Sequence, residues 1–60
     1  MRPFDNLYDA MEYAEQMLKN NDCMYVMTDG CDFYVTADYK RARQMGLQLW
    51  EEYRKERNVL

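Results

Sequence analysis

Apolar and polar residues alternate along the middle of the chain, on both sides of an Asp-Gly pair. Successive side chains of a strand point to opposite faces, and Asp29-Gly30 suits the two-residue type I′ turn, in which both central residues need positive φ. The pattern therefore predicts a β-hairpin over about 23–36, with Thr28 opposite Cys31. One face of this hairpin is apolar apart from one threonine and contains Met24, Val26, Thr28, Cys31, Phe33 and Val35.

Helical periodicity flanks the hairpin on both sides. Asn6 is a good N-cap, and apolar residues then recur every three or four positions, which predicts a helix over about 7–20. A second stripe predicts a helix over about 38–57, in which Gly46 would allow a close approach to a neighbouring element. That stripe contains Tyr39, Ala42, Gly46, Leu49, Trp50 and Tyr53. Leu47 lies off the stripe and is expected at the surface, whereas Trp50 is expected in the core.

The predicted order is α-β-β-α within a single α+β domain over 1–60. Both helices are expected to pack on the apolar face of a two-stranded antiparallel hairpin, which leaves the other face uncovered. That face contains Tyr25, Met27, Asp32 and Tyr34, with the two tyrosines as a close cross-strand pair. Tyrosine and methionine are enriched at interfaces, so these residues form a predicted partner-binding or dimer face. Ordinary strand filling is the alternative, because tyrosine favours half-exposed strands.

A chain of sixty residues buries little apolar surface and often needs a staple or a partner. The chain has no histidine, and Cys23 and Cys31 lie at opposite ends of the predicted hairpin on opposite faces. The sequence therefore predicts no metal, no disulfide and no cofactor. Oligomerisation is the remaining common way to stabilise so small a domain. We therefore expect a homodimer that pairs hairpin edges or buries the tyrosine faces against each other.

Two free thiols, no signal peptide and no apolar run of about 20 residues predict a cytoplasmic protein without a membrane partner.

The net charge of −3 is unevenly distributed. Residues 1–38 carry two basic and eight acidic groups, and residues 39–60 carry six basic and three acidic groups. The simple interpretation is that two helices of opposite charge attract each other. A possible acidic contact face contains Asp9, Glu12 and Glu15, although a solvated helix face is favoured over mimicry of a nucleic-acid backbone. A possible basic contact patch contains Lys40, Arg43, Leu47 and Arg54, but no recognised nucleic-acid module matches, so nucleic acid is not the expected partner.

No residue pattern predicts catalysis. The thiols lack a histidine partner, the carboxylates have no pocket, and the two glycines are isolated, so we expect neither an enzyme nor a small-molecule substrate. A one-domain chain that starts at Met, with an acidic balance, resembles the small stand-alone proteins that phages and mobile elements encode to bind and modulate host proteins. The resemblance implies a non-enzymatic protein-binding inhibitor or regulator that acts in the host cytoplasm.

Two alternatives stay open. One is a small nucleic-acid-associated regulator that uses the second helix. The other is a structural subunit of a larger assembly, whose hairpin adds strands to a partner sheet.

Overall fold

The computed structural model describes residues 2–55, which form a four-stranded antiparallel sheet and two helices. The elements are β1 (Pro3–Phe4), α1 (Leu7–Met17), β2 (Cys23–Thr28), β3 (Phe33–Thr36), α2 (Tyr39–Gln44) and β4 (Gln48–Arg54). The strand order is β1-β3-β2-β4, so the predicted hairpin lies at the centre of the sheet. The α+β class is confirmed, and β1 and β4 are strands that the sequence pattern did not predict.

The first helix begins where its cap predicts. The Asn6 side-chain carbonyl accepts hydrogen bonds from the N–H groups of Tyr8 and Asp9, at 2.8 and 3.4 Å. These bonds satisfy two of the amide groups that the first turn of a helix leaves without partners. The helix ends at Met17, whose carbonyl accepts a 2.9 Å bond from the Asn21 side chain.

The hairpin turn is longer than predicted. The Asp29 carboxylate accepts the N–H groups of Cys31 and Asp32, both at 2.8 Å, and Thr28 donates its hydroxyl to the Asp32 carbonyl at 2.9 Å. These bonds hold a four-residue loop, so Thr28 pairs with Phe33 rather than with Cys31. Because the register differs by two residues, each strand residue keeps its predicted face.

The predicted helix over 38–57 is wrong beyond its first turns. The helix begins after Asp38 as expected but ends at Gln44, and Gly46 has a φ of +90°. The N–H of Leu47 donates to the Ala42 carbonyl and the N–H of Gly46 to the Arg43 carbonyl, at 3.1 and 3.0 Å. This is a Schellman C-cap, in which glycine takes the left-handed position that ends a helix. The chain then turns back as β4, and residues 56–57 of the predicted helix lie outside the described part of the chain.

The two helices lie on opposite faces of the sheet, not on one face as predicted. Ala10 and Ala14 of α1 pack on Met24, Val26 and Val35. On the other face, Met27 packs with two residues from the second crossover, Ala42 of α2 and Leu47. The prediction of an uncovered tyrosine face is therefore wrong. Tyr25 and Tyr34 are partly buried because they pack against this second cluster.

The topology explains this arrangement. Each helix connects two parallel strands and crosses the strand between them: α1 joins β1 to β2, and α2 joins β3 to β4. Both connections step across the sheet in the same direction, but they start from strands that run in opposite directions. Nearly all such crossovers are right-handed, and two right-handed crossovers of this kind place their helices on opposite faces.

The outer strands also change the expected dimer geometry. β1 pairs with β3 and β4 pairs with β2, so neither edge of the hairpin is open. The predicted pairing of hairpin edges is therefore wrong. In the alternative geometry, in which tyrosine faces meet, α2 covers part of each face.

Candidate functional site

A row of four aromatic rings crosses the face of the sheet that carries α1. Phe4 and Phe33 are directly paired neighbours on β1 and β3. The Phe4 ring stacks on Tyr13 of α1, and the Phe33 ring meets Trp50 of β4 edge-on, each at 5.5 Å between centroids. We call Tyr13, Phe4, Phe33 and Trp50 the aromatic row. Its centre is half-buried, but Tyr13 and Trp50 at its ends are 37% and 52% exposed.

A bulge in β4 places Trp50 in this row. Val26 pairs with Glu51 and Met27 pairs with Leu49, so Trp50 is an extra residue without a partner on β2. Such a bulge bends the strand and redirects a side chain. Trp50 therefore reaches across the sheet to Phe33 while much of its ring stays exposed, which contradicts its predicted place in the core.

Charged groups border one end of the aromatic row. An open depression of about 290 Å³ lies between β1 and α1, and Phe4 and Tyr13 line it together with Asp9 and Glu12. The Arg2 guanidinium lies over the Phe4 ring at 5.1 Å, in a cation–π contact. Two residues of the predicted acidic contact face thus stand beside exposed aromatic surface.

The third residue of that predicted face, Glu15, lies on the other side of α1. Its carboxylate contributes, after burial and Glu51, to the raised pKa of Tyr53 on β4. The acidic face is therefore divided between the two flanks of the helix.

The predicted partner-binding face is mostly enclosed. Met27 is fully buried, and the Tyr25 ring stacks on Tyr39 of α2 at 5.1 Å. The predicted Tyr25–Tyr34 pair is absent, because Tyr25 pairs with Thr36 and Tyr34 with Met27. Asp32 lies in the hairpin loop and is half-exposed.

The predicted basic contact patch is only partly assembled. Lys40 and Arg43 are exposed on α2, and Arg54 is exposed on the same side of the sheet, because it pairs with Cys23. Leu47 is 7% exposed, so its predicted surface position is wrong. Arg54 is engaged within its own strand, where its Nε lies 2.6 Å from a Glu52 oxygen.

The shifted ionisation equilibria have structural causes. Backbone N–H groups of Asp32 and Cys31 lower the pKa of the Asp29 carboxyl, and the bond that Tyr34 donates to it raises the pKa of that phenol. The Tyr25 hydroxyl donates to Cys23 Sγ at 3.6 Å, which with burial raises the pKa of Tyr25. Each shift is accounted for by a bond or by burial within the fold. Within residues 2–55, no group of three metal-ligating side chains converges.

The sequence pattern does not predict the aromatic row, because two of its positions depend on strands that the pattern does not indicate. Phe4 belongs to β1 and Trp50 to β4, so neither could be placed beside Phe33 without the sheet order. Pro3, which favours an extended backbone, and Gly46, a common helix terminator, were the available indications of those strands.

No protein-family model matches the chain, and searches of curated proteins and of solved structures find no match. Among the helices of the described residues, none is long and apolar enough to cross a membrane.

Proposed function

We propose that this chain is a non-enzymatic protein-binding module that regulates or inhibits a partner protein, and that the aromatic row is its contact surface. The observation that carries the proposal is the exposure of Tyr13 and Trp50, each of which contacts the ring of one of two paired strand neighbours, Phe4 and Phe33. Tyrosine and tryptophan contribute most strongly to protein interfaces when they lie over a well-packed centre, because they bury large area with few rotatable bonds.

The charges beside the row define the kind of partner. Asp9 and Glu12 border the depression that Phe4 and Tyr13 line, and Arg2 is held over Phe4. A protein surface that presents a lysine or arginine next to an apolar side chain complements this arrangement. The acidic groups would orient such a partner as it approaches, and the rings would supply the buried area.

The chain provides a closely matched control for this proposal. Tyr13 and Tyr39 are both 37% exposed, and each stacks on one aromatic neighbour at a similar distance and tilt, but they lie on opposite faces of the molecule. A photocrosslinking residue such as p-benzoylphenylalanine can replace either tyrosine in cells that contain the natural partner.

We expect crosslinking to a defined protein from position 13 and none from position 39. Trp50→Ala should abolish the crosslink from position 13 while the fold, followed by circular dichroism, is retained. Equal crosslinking from both positions, or a product that Trp50→Ala does not affect, would contradict the proposed surface.

A further inference from the structure

One edge of the sheet is long and unpaired along the described part of the chain. The edge strand β1 has two residues, whereas the opposite edge strand β4 has seven. The outward N–H and C=O groups of an edge strand can accept another strand. β4 is therefore the place where a further strand can extend this sheet.

The hydrogen bonds of the sheet identify which groups of β4 point outward. The N–H of Lys55 donates to the Asp22 carbonyl at 2.9 Å, so the backbone groups of Lys55 point into the sheet. In an antiparallel ladder, inward and outward residues alternate. The N–H and C=O groups of Glu52 and Arg54 therefore point away from β2.

The charges along this edge are antisymmetric about Tyr53. The sequence Glu51-Glu52-Tyr53-Arg54-Lys55 has two acidic residues before the tyrosine and two basic residues after it. When two identical strands pair antiparallel about a two-fold axis at Tyr53, Glu52 lies opposite Arg54 of the second copy, and Glu51 lies opposite Lys55 of the second copy. Each of these unlike-charge pairs occurs twice by symmetry.

The same register also satisfies the backbone. Glu52 and Arg54 are the residues whose groups point outward, and two residues that face each other in this way exchange both of their N–H to C=O bonds. In the neighbouring symmetric registers, charge pairing and backbone hydrogen bonding are not satisfied together. A two-fold axis at Glu51, Glu52 or Arg54 places like charges directly opposite each other, and an axis between two residues sets an outward residue against an inward one.

We propose that two copies of this chain pair through β4 in that register and form one continuous eight-stranded sheet. Glu52 and Arg54 already lie together on one face, 2.6 Å apart, so pairing would join two such ion pairs into a network around the axis. Lys55 contacts the Lys19 carbonyl through a 3.4 Å bond that uses only one of its three ammonium protons.

This dimer goes beyond the proposed function and does not depend on it. Trp50 lies outside the paired segment 51–55, so the proposed pairing does not use the aromatic row. The two Trp50 positions would be about 20 Å apart along the strands, at roughly 3.3 Å per residue. A dimeric protein would thus present two equivalent contact surfaces.

Charge reversal tests the register. Arg54→Glu sets a carboxylate opposite Glu52 of the second copy, and Glu52→Arg sets a guanidinium opposite Arg54 of the second copy. Each variant alone should raise the dissociation constant of the homodimer by roughly tenfold or more. An equimolar mixture of the two should form a heterodimer, because both cross-strand pairs are then unlike, and the double variant Glu52→Arg/Arg54→Glu should dimerise as the unmodified protein does.

Sedimentation equilibrium from micromolar to millimolar protein measures these constants, and circular dichroism checks that each variant is folded. Both positions lie on the edge strand, with the Arg54 side chain 72% and the Glu52 side chain 34% exposed, so folding is expected to survive. The heterodimer separates this proposal from loss of the ion pair within each chain, because neither single variant retains that pair. A monomer throughout the concentration range, or homodimers that are equally stable in all variants, would overturn it.

Amide hydrogen exchange gives a second readout. In the dimer, the N–H groups of Glu52 and Arg54 should become protected as protein concentration rises, because they gain partners. Rapid exchange of these two amides in a sample that sediments as a dimer would place the interface elsewhere and overturn the proposal.

Discussion

Individual side chains decide where the backbone of this protein turns. Asp29 ends β2 because its carboxylate accepts two backbone N–H groups and the Tyr34 hydroxyl, the last at 3.1 Å. The Asp-Gly pair predicts the position of the turn, but the predicted type I′ turn is wrong, because Gly30 has a positive φ and Asp29 does not. The pair alone does not specify how many residues the turn contains. Its length follows from bonds to Cys31, Asp32 and Tyr34, whose geometry is visible only once the loop is formed.

The Asp29 carboxylate should stabilise the hairpin in a pH-dependent way. Its pKa is lowered in the folded state, so the stabilisation is present above the ordinary aspartate pKa of about 3.9 and is lost as the pH falls through the folded value. Asp29→Asn should therefore be less stable than the unmodified protein at neutral pH, and the difference should shrink in acid. Urea unfolding at pH 7 and pH 3 measures this, and a difference independent of pH would exclude the carboxylate as its source.

For Tyr53, in contrast to Asp29, we expect that removal of a polar group does not lower the free energy of unfolding. Its hydroxyl is buried and has no hydrogen-bond partner among the described residues. Removing a buried unpaired polar group should not destabilise the fold, so Tyr53→Phe should leave the free energy of unfolding unchanged or raise it by about 1 kcal/mol. Tyr34→Phe, which removes the bond to Asp29, is the control and should lower it. A clear loss of stability in Tyr53→Phe would indicate a partner for the hydroxyl.

At the scale of elements, the sequence predicts the features that depend on neighbouring residues, namely where helices begin and which face each strand residue occupies. Asn6 and Asp38 cap helices where expected, and the two hairpin strands keep their predicted faces. The sequence pattern predicts too long a second helix, because apolar residues after Gly46 fit helical spacing by coincidence. The same residues form a strand with a bulge, which disguises the two-residue alternation that a regular strand would show.

A substitution at Gly46 distinguishes the predicted continuous helix from the observed helix end followed by β4. In a continuous helix, replacing a central glycine with alanine would stabilise the protein by about 1 kcal/mol. In the observed C-cap, with φ at +90°, Gly46→Ala should instead cost roughly 1–2 kcal/mol. Thermal and urea unfolding determine the sign, and Gly46→Asn should cost less because asparagine tolerates this conformation better. Stabilisation by alanine would favour the helix.

At the scale of the whole molecule, the layered arrangement could not be derived from the hairpin alone. The number of strands and the side to which each helix crosses depend on β1 and β4, which have few local indications. The candidate site has the same origin: Asp9 and Glu12 were predicted as a contact face, but the rings beside them come together only through the sheet order.

The two-sided core has a direct test. Val26 and Met27 are consecutive and both fully buried, but they belong to the clusters on opposite faces. Met27→Ala should lower the free energy of unfolding by about 2–5 kcal/mol, as expected for a buried methionine. Val26→Ala is the companion variant and should also be clearly destabilising. If Met27→Ala were nearly neutral in urea unfolding, α2 would not cover this face.

The opposite placement of the helices also gives the molecule an electric polarity. α1 carries three acidic residues and no basic one, whereas α2 carries three basic residues and no acidic one. With roughly 10 Å between successive layers, the outer sides of the helices are farther apart than the Debye length of about 8 Å at physiological salt. The helices therefore do not neutralise each other, contrary to the simple interpretation of the charge pattern.

A charged surface that approaches this protein interacts mainly with the nearer face and turns the molecule accordingly. An anionic surface would attract α2 and leave α1, with its three acidic residues, facing solvent. At physiological salt, the net charge of −3 thus describes neither side of the molecule. Orientation, rather than total charge, decides which side a given surface meets first.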